Sequence, residues 1–201
     1  NSLPNELRYT FGGDTTCVTV RSSSGRLYIL DCGTGVRRVG NMLMEGPCAQ
    51  GKGEINIMFT HNHWDHIQGL PFFRPIYVPG NVLNFYSPYK NQKECLEKQM
   101  STPFFPATFE GTPSIKNYFL IDHAVHEPIM LEEDLKLSIY PLKHPQGCYA
   151  YKFEQKGKIF IFATDTEFTG EIIERMDNKT NFFKNADLLI LDSQYTLNEA
   201  F

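Results

Sequence analysis

Hydrophobic and polar positions alternate along several short stretches of the chain, which is the pattern of β-strands buried on one face. Residues 16–21 alternate Val18 and Val20 with polar neighbours, and a second apolar stretch, residues 27–30, follows a serine-rich turn that ends at Gly25. These two strands predict a hairpin. Further strands are predicted at residues 55–59, 76–78, 83–86, 135–140, 148–153, 158–163 and 187–191.

Fewer stretches have the spacing of helices. Helices are predicted at residues 36–44, 94–100 and 171–176, and a stretch rich in proline and phenylalanine, residues 101–113, predicts an irregular loop or lid. The sequence Gln155-Lys156-Gly157 lies between two predicted strands and indicates a second hairpin. Because strands outnumber the helices interleaved with them, the pattern is typical of layered sheets covered by helices.

Composition limits the domain organisation and the partners. The chain has 201 residues, of which 41% are hydrophobic and 21% charged, and this predicts a single domain over residues 1–201. The net charge of −4 provides no basic field, so stable nucleic-acid binding is not expected. No apolar run has the length of a membrane span, so no membrane partner is expected. Five scattered cysteines without CxxC spacing indicate reduced thiols in the cytoplasm.

A cluster of metal-binding residue types follows the strand predicted at residues 55–59. His61, His63, Asp65 and His66 lie close together and include three of the six histidines in the chain. Imidazole nitrogens and carboxylate oxygens are favoured ligands of zinc and similar divalent ions. One ion could not use all four groups from so tight a loop, so we expect two ions to share it. The alternative, ordinary surface or core histidines, does not account for this clustering.

The segment His61-Asn62-His63-Trp64-Asp65-His66 matches the HxHxDH signature of the metallo-β-lactamase superfamily. Two further matches follow in the order of that superfamily: His144 after a strand, and Asp165 at the end of the strand predicted at residues 158–163. The resemblance runs from about Thr10 to the C-terminus. It implies an α/β (α+β) fold, the four-layer αββα metallo-β-lactamase sandwich, here lacking its C-terminal segment.

The resemblance also implies a dinuclear centre with zinc as the expected metal and manganese or iron as alternatives. The implied ligands are three residues on the first ion, two on the second and one that bridges both: His61, His63 and His144; Asp65 and His66; and Asp165. Asp65 and His66 are the expected catalytic residues, with Asp65 orienting the attacking hydroxide. Asp31, at a strand end, is expected to orient a ligand. The alternative for Asp31 is a carboxylate that caps a turn.

One ligand of the superfamily has no counterpart here. A last histidine usually reaches the second ion from near the C-terminus, after a tyrosine that resembles Tyr195. No histidine follows His144, so we expect the chain to be part of a longer protein. The two remaining histidines, His123 and His126, lie outside the motif order and are expected to be structural.

The segments around the ligands narrow the expected reaction. Residues 12–17, 30–35, 61–73 and 144–151 resemble the phosphodiesterase-type branch of the superfamily, near the cyclic-nucleotide phosphodiesterases and the tRNA 3′-processing nucleases. This resemblance implies a hydrolase in which a metal-bridging hydroxide attacks a small-molecule or nucleotide phosphodiester. Backbone N–H groups of Gly12 and Gly13 could bind an anionic substrate, or the two glycines could form only a tight turn.

Three other functions stay open. An RNA-processing nuclease would need an extended RNA-gripping arm, and the chain has no long basic insertion. A lactonase or thioesterase would need an apolar pocket, for which five aromatic residues are candidates: Phe72, Phe73, Phe104, Phe105 and Phe109. The third is a non-catalytic metal-binding module. Members of the superfamily often dimerise, so the resemblance also allows a homodimer.

Overall fold

The computed structural model describes residues 13–122, 127–167 and 182–192. It divides into two compact units, Asn1–Ile121 and Asp122–Phe201, and each contains a five-stranded sheet. Helices together with two sheets confirm the α/β fold class, whereas the single-domain prediction stays a prediction. Predictions for five positions or segments lie outside the described residues: Gly12, His123, His126, residues 171–176 and Tyr195.

The first unit contains a mostly parallel sheet with the strand order β1-β2-β3-β4-β5. The strand bounds are β1 Val18–Arg21, β2 Leu27–Leu30, β3 Glu54–Met58, β4 Val82–Ser87 and β5 Ile115–Leu120. Strands β1 and β2 are antiparallel, which confirms the predicted hairpin, and β2 to β5 are parallel. The carboxyl ends of these parallel strands therefore meet at one edge of the sheet.

Three α-helices connect the parallel strands: α1 Val36–Leu43, α2 Trp64–Ile67 and α3 Gln92–Gln99. Helices α1 and α3 confirm the helices predicted at residues 36–44 and 94–100. Short 3-10 helices form at Pro47–Gln50, Leu70–Phe72 and Arg74–Tyr77. Among the described residues, no helix has the length and apolarity needed to cross a membrane.

The strand predicted at residues 76–78 is wrong, because Ile76 and Tyr77 belong to the 3-10 helix Arg74–Tyr77 and Val78 directly follows it. Pro75 opens that helix, and proline has no N–H to donate to a strand ladder and a φ fixed near helical values. Ile76 is nevertheless fully buried. The apolar pattern therefore identified a core position correctly but assigned it to the wrong kind of element.

The mostly parallel sheet has one apolar face, and its opposite face has a row of hydrogen-bonded asparagine side chains. Ile55 and Ile57 belong to the main core cluster of the unit, while Asn56 between them points to the opposite face. There, Asn117 Nδ2 donates to Asn84 Oδ1 at 2.9 Å, and Asn84 Nδ2 donates to Asn56 Oδ1 at 3.1 Å. These three residues, the asparagine line, are register partners on β5, β4 and β3. Their side-chain amides therefore link the three strands by hydrogen bonds.

The five phenylalanines considered for an apolar pocket separate into core and surface residues. Phe73 and Phe109 are fully buried in the core, and Phe105 packs against it. Phe72 is 58% exposed and Phe104 is 80% exposed. Residues 101–113 contain no helix or strand, which confirms the predicted irregular loop.

The second unit contains a mostly antiparallel sheet with the strand order β10-β9-β8-β7-β6. The strand bounds are β6 Ile129–Met130, β7 Leu135–Leu142, β8 Cys148–Gln155, β9 Lys158–Ala163 and β10 Leu188–Leu191. Lys156 and Gly157 have positive φ angles of 50° and 74° in the turn between β8 and β9, as the predicted hairpin requires. Since β7 and β9 are both antiparallel to β8, and β10 is parallel to β9, β7, β9 and β10 end at the same edge.

Candidate metal centre

The predicted metal ligands of the first unit lie where strand β3 ends and helix α2 begins. His61 and His66 are buried, His63 is half-buried, and the side chain of Asp65 is 54% exposed. Ligand atoms of His61 and His63 lie within 4.8 Å of each other, as do those of Asp65 and His66. The ring centroids of His61 and His66 are 4.2 Å apart. This loop thus gathers four donor groups, of which Asp65 is the most accessible to solvent.

The buried carboxylate of Asp31 organises two of these histidines. Asp31 directly follows strand β2, which is the neighbour of β3 in the sheet. Its Oδ1 accepts the Thr60 N–H at 2.8 Å, and its Oδ2 accepts the Thr60 hydroxyl at 2.8 Å. The same Oδ2 lies 2.8 Å from His66 Nδ1. Asp31 therefore contacts a predicted ligand directly and bonds the residue that precedes His61.

These contacts determine the tautomers of His61 and His66. Thr60 Oγ1 also lies 3.0 Å from His61 Nδ1. When Asp31 is ionised it only accepts, and a hydroxyl has one proton, so Thr60 then donates to Asp31 and the His61 Nδ1–H donates to Thr60. The His66 Nδ1–H donates to Asp31 for the same reason. Both rings consequently present the lone pair of Nε2, which is the form of histidine that binds a metal ion.

Both the burial of the Asp31 carboxyl and the backbone conformation of Asp31 are energetically unfavourable. Burial raises the pKa of the Asp31 carboxyl above its ordinary value, and the hydrogen bonds from His66 and Thr60 act against that rise. Its φ angle is 59°, in the left-handed region that residues other than glycine rarely adopt. Local strain of this kind persists where neighbouring contacts over-determine it, and it is concentrated at functional sites.

Close backbone packing fixes the other side of the loop. A Cβ on Gly33 would lie 2.5 Å from the backbone oxygen of Asp65 and 2.5 Å from Thr15 Oγ1, so only glycine fits there. The Cys32 N–H donates to the His66 carbonyl at 2.7 Å. The chain that leaves β2 therefore lies directly against helix α2, where Asp65 and His66 are found.

The second unit brings the other two predicted ligands together. His144 follows strand β7 and Asp165 follows strand β9, at the edge where both strands end. His144 Nε2 lies 3.6 Å from Asp165 Oδ2, and the two side chains are 18% and 25% exposed. The Glu167 N–H donates to the Lys143 carbonyl at 2.9 Å, which joins the two loops.

Asp192 supports this second pair and had no role in the sequence interpretation. Its Oδ2 accepts the Thr166 N–H at 3.2 Å, and its N–H donates to the Ala163 carbonyl at 3.1 Å. These bonds bracket Asp165, whose φ angle is 39°. Asp192 follows β10, the parallel neighbour of β9, and that position at a strand end is the sequence signal that could have identified it.

The glycine segment before β1 has little that favours an anion site. Gly13 is exposed, and a Cβ there would meet nothing within 4 Å, so space does not require glycine at this position. The next residue, Asp14, adds a carboxylate that pairs with Arg38 Nε at 2.9 Å. Substrate binding by Gly13 stays a prediction.

The donor set of each unit fits a divalent cation. The described groups are imidazoles and carboxylates, which are zinc ligands, and two of the imidazoles have their Nδ1 atoms within hydrogen-bond distance of Thr60 and Asp31. The spacing of His61 to His66 predicted the donors of the first unit, and the resemblance to the superfamily implied His144 and Asp165. Thr60 was missed, because it is a common residue type and is recognisable only through its contacts.

Known proteins have sequences and folds similar to those of this chain. A ribonuclease BN from Cronobacter sakazakii is 30% identical over 162 residues, which are 78% of this chain and 47% of the relative. The chain thus spans about half the length of the curated relatives it matches. Among solved structures, a metallo-β-lactamase fold protein from Bacillus subtilis has a TM-score of 0.57 at 19% identity, covering 87% of this chain and 61% of that one.

A second solved structure is the short form of human tRNase Z, with a TM-score of 0.50 and 19% identity, covering 87% of this chain and 70% of that one. At such identities the structures show the fold alone. The family model described as a β-lactamase superfamily domain matches residues 26–200, which is most of the chain. The chain therefore belongs to the β-lactamase superfamily and has the metallo-β-lactamase fold.

Proposed function

We propose that this chain is the metal-binding part of a phosphodiesterase that uses two divalent ions. In this proposal the first ion is held by three histidines, the second by the two residues of helix α2, and both by one bridging carboxylate: His61, His63 and His144; Asp65 and His66; and Asp165. The observation that supports this proposal is the hydrogen-bond network of Asp31, Thr60, His61 and His66. It orients the two histidine rings so that each presents its Nε2 lone pair for metal binding.

Zinc is the proposed metal because the donors are imidazoles and carboxylates, with manganese or iron as alternatives for the same set. When bound, divalent ions acidify water and stabilise negative charge on the phosphoryl oxygens in the transition state. The protein contributes donors whose orientation is fixed before substrate arrives. Asp31 and Thr60 hold the rings of His61 and His66, so these ligands need little reorganisation.

Asp65 is the proposed catalytic carboxylate. Its side chain is 54% exposed, while Asp31 is fully buried. An accessible carboxylate can accept a hydrogen bond from the attacking water and orient it towards phosphorus, and a buried one cannot reach it. Asp65 Oδ2 lies 3.5 Å from His66 Nε2, which places this oxygen beside a proposed metal ligand.

Hydrolysis assays on the full-length protein test this proposal. Metal-depleted protein is loaded with Zn²⁺ or Mn²⁺ and given bis(p-nitrophenyl) phosphate, a cyclic nucleotide, a lactone and a thioester. The proposal predicts that the phosphodiesters are hydrolysed fastest and that His61→Ala and Asp165→Asn abolish turnover, whereas Lys158→Gln, an exposed substitution, does not. Equal activity of the His61→Ala variant, or hydrolysis of only the lactone or thioester, would contradict it.

A ribonuclease is the second candidate, and the relatives named ribonuclease BN and ribonuclease Z favour it. A phosphodiester bond of RNA would then be the substrate. With a net charge of −4, the chain alone would bind RNA weakly and with strong salt dependence. Tighter RNA binding would need additional basic surface. Cleavage of a structured RNA with a 3′ extension, at rates above those on small phosphodiesters, would select this function.

A lactonase or thioesterase is less well supported. Of the five phenylalanines that are candidates for the apolar pocket it requires, Phe73 and Phe109 are fully buried in the core. We also propose a reducing compartment, the cytoplasm, because no disulfide joins any of the five cysteines, all of which lie in the described residues.

A further inference from the structure

Helix α3 contains two buried glutamines that both donate hydrogen bonds to residues 61–67, the metal loop. Gln92 and Gln99 are the first and last residues of the helix and are only 4% and 6% exposed. They lie about two helical turns apart, so their side chains leave the same face of the helix. Leu96 between them is fully buried in the same core cluster as Ile67, which ends helix α2.

Gln92 contacts the first half of the metal loop. Its Nε2 donates to Asn62 Oδ1 at 2.8 Å, and Asn62 is the residue between His61 and His63. The orientation of this amide follows from its other end. Ser87 Oγ accepts the Tyr89 N–H at 3.1 Å, and its hydroxyl donates to Gln92 Oε1 at 2.7 Å, which turns the NH₂ group of Gln92 to Asn62.

Gln99 contacts the second half of the loop. Its Nε2 donates to the backbone carbonyl of Ile67 at 2.7 Å. Ile67 directly follows His66 and ends α2, a helix of only four residues that has few hydrogen bonds of its own. The bond from Gln99 therefore holds the turn that presents Asp65 and His66.

We infer that Gln92 and Gln99 are positioning residues for the metal centre, each acting on one half of the loop. Gln92 sets the separation of His61 and His63 through Asn62. Gln99 sets the placement of Asp65 and His66 through the Ile67 carbonyl. This inference rests on the proposed function, because the groups positioned are the proposed ligands of two ions.

Metal binding tests the inference without relying on turnover. Zn²⁺ affinity and stoichiometry are measured on the full-length protein by competition with a chromophoric chelator, and ligand geometry by the visible spectrum of the Co²⁺-loaded protein. Gln92→Met and Gln99→Met keep the side-chain length and remove the amide donor. Loss of partners that orient metal ligands typically weakens metal binding about 10- to 100-fold, so we expect about 10-fold for each variant.

The two variants should differ in which ion they weaken. Gln92→Met should change the site of His61 and His63, and Gln99→Met the site of Asp65 and His66, so their Co²⁺ spectra should depart from wild type in different ways. Asn62→Ala removes the acceptor from the other side at a half-buried position. The double variant of Asn62→Ala with Gln92→Met should bind metal as weakly as Asn62→Ala alone.

Asn81→Leu is the matched control for a buried amide. Asn81 is fully buried, and its amide accepts the Gly53 N–H and donates to the carbonyls of Cys48 and Pro75. Its loss should lower the melting temperature and leave the Zn²⁺ affinity and the Co²⁺ spectrum unchanged.

Two negative results have separate meanings. Wild-type Zn²⁺ affinity and Co²⁺ spectra in Gln92→Met, Gln99→Met and Asn62→Ala would overturn the positioning role and leave the proposed function standing. A wild-type protein that binds no divalent metal would overturn both. If Gln92→Met does not fold, Asn62→Ala decides the question for the first half of the loop.

Discussion

At the scale of single residues, the sequence identified donor groups better than the residues that orient them. The cluster His61 to His66 could be predicted because its spacing is rare and its residue types have few other uses. Thr60 and Gln92 could not, since threonine and glutamine are common and their partners, Asp31 and Asn62, lie 29 and 30 positions away in the chain. Such residues acquire a role only when the sheet brings strand ends together.

Thr60 offers a direct test of the tautomer argument. Thr60→Val keeps the shape and the backbone N–H but removes the hydroxyl that accepts from His61 Nδ1. The ring then loses the partner that keeps the proton on Nδ1, so we expect Zn²⁺ affinity to fall about 10- to 100-fold. Chelator competition measures the effect, and Thr60→Ser, which retains the hydroxyl, is the control. Equal affinities of the two variants would contradict the argument.

The thiol of Cys17 provides a prediction on pH. Burial, and after it the nearby carboxylates of Asp31 and Asp14, together raise the pKa of Cys17 to about 12. Because the thiolate is the reactive form, iodoacetamide should modify Cys17 far more slowly in the folded protein at pH 8 than in the urea-unfolded chain. Peptide mass analysis follows the modification of each cysteine.

The same shift makes stability fall at high pH. The unfolded thiol ionises near its ordinary pKa of 9.0, while the folded thiol keeps its proton up to about 12. Between those values the unfolded chain binds fewer protons, so unfolding becomes easier by at most about 1.4 kcal/mol per pH unit for one thiol. Cys17→Ala should reduce the slope of unfolding free energy against pH between 9 and 11. An unchanged slope would show that Cys17 is not responsible.

At the scale of elements, strands whose residues alternate or form an apolar run could be predicted, and a strand without such a pattern could not. β8 and β9 have clear alternation or apolar runs, and their hairpin is where the sequence placed it. β5 was missed because all of its last four positions are exposed, so its side chains do not alternate between buried and exposed. Its pairing depends on β4 and on the asparagine line, which are long-range features.

The asparagine line makes a prediction about the sheet. Asn84 accepts from Asn117 and donates to Asn56, so Asn84→Leu leaves the buried Asn56 oxygen without its donor. Leaving a buried polar group unsatisfied costs about 1–3 kcal/mol. Asn117 is the exposed end of the line, so Asn117→Leu should cost less than about 1 kcal/mol. Urea unfolding compares the two variants, and equal losses would contradict the role of Asn84 as the central link.

The contact between Gly33 and helix α2 predicts a different kind of failure. A Cβ at position 33 would lie 2.5 Å from the Asp65 carbonyl oxygen, so Gly33→Ala must displace the metal loop. Overpacking typically costs about 1–3 kcal/mol, and we expect a loss of Zn²⁺ affinity in addition. Gly13→Ala is the control because a Cβ there meets open space. Thermal unfolding and chelator competition should separate the variants, and wild-type behaviour of Gly33→Ala would show that the loop can shift freely.

At the scale of the whole molecule, the order of motifs along the chain carried more information than any single motif. Three segments far apart in sequence contain the proposed ligands, and the family model spans residues 26–200. The superfamily and fold class could therefore be predicted. The substrate could not, because it depends on surfaces beyond the ligands, and the chain spans about half the length of its curated relatives.

His61 and His144 are both proposed ligands of the first ion, and this gives a prediction about additivity. If His61 and His144 hold the same ion, His61→Ala and His144→Ala should each lower phosphodiesterase turnover by a similar large factor. The double variant should lose little more, since groups that act as one unit are not additive. Rates on bis(p-nitrophenyl) phosphate with saturating Zn²⁺ measure this, with the exposed Lys158→Gln variant as the control for substitution in the second unit. Independent, multiplicative losses would show that the two histidines serve separate sites.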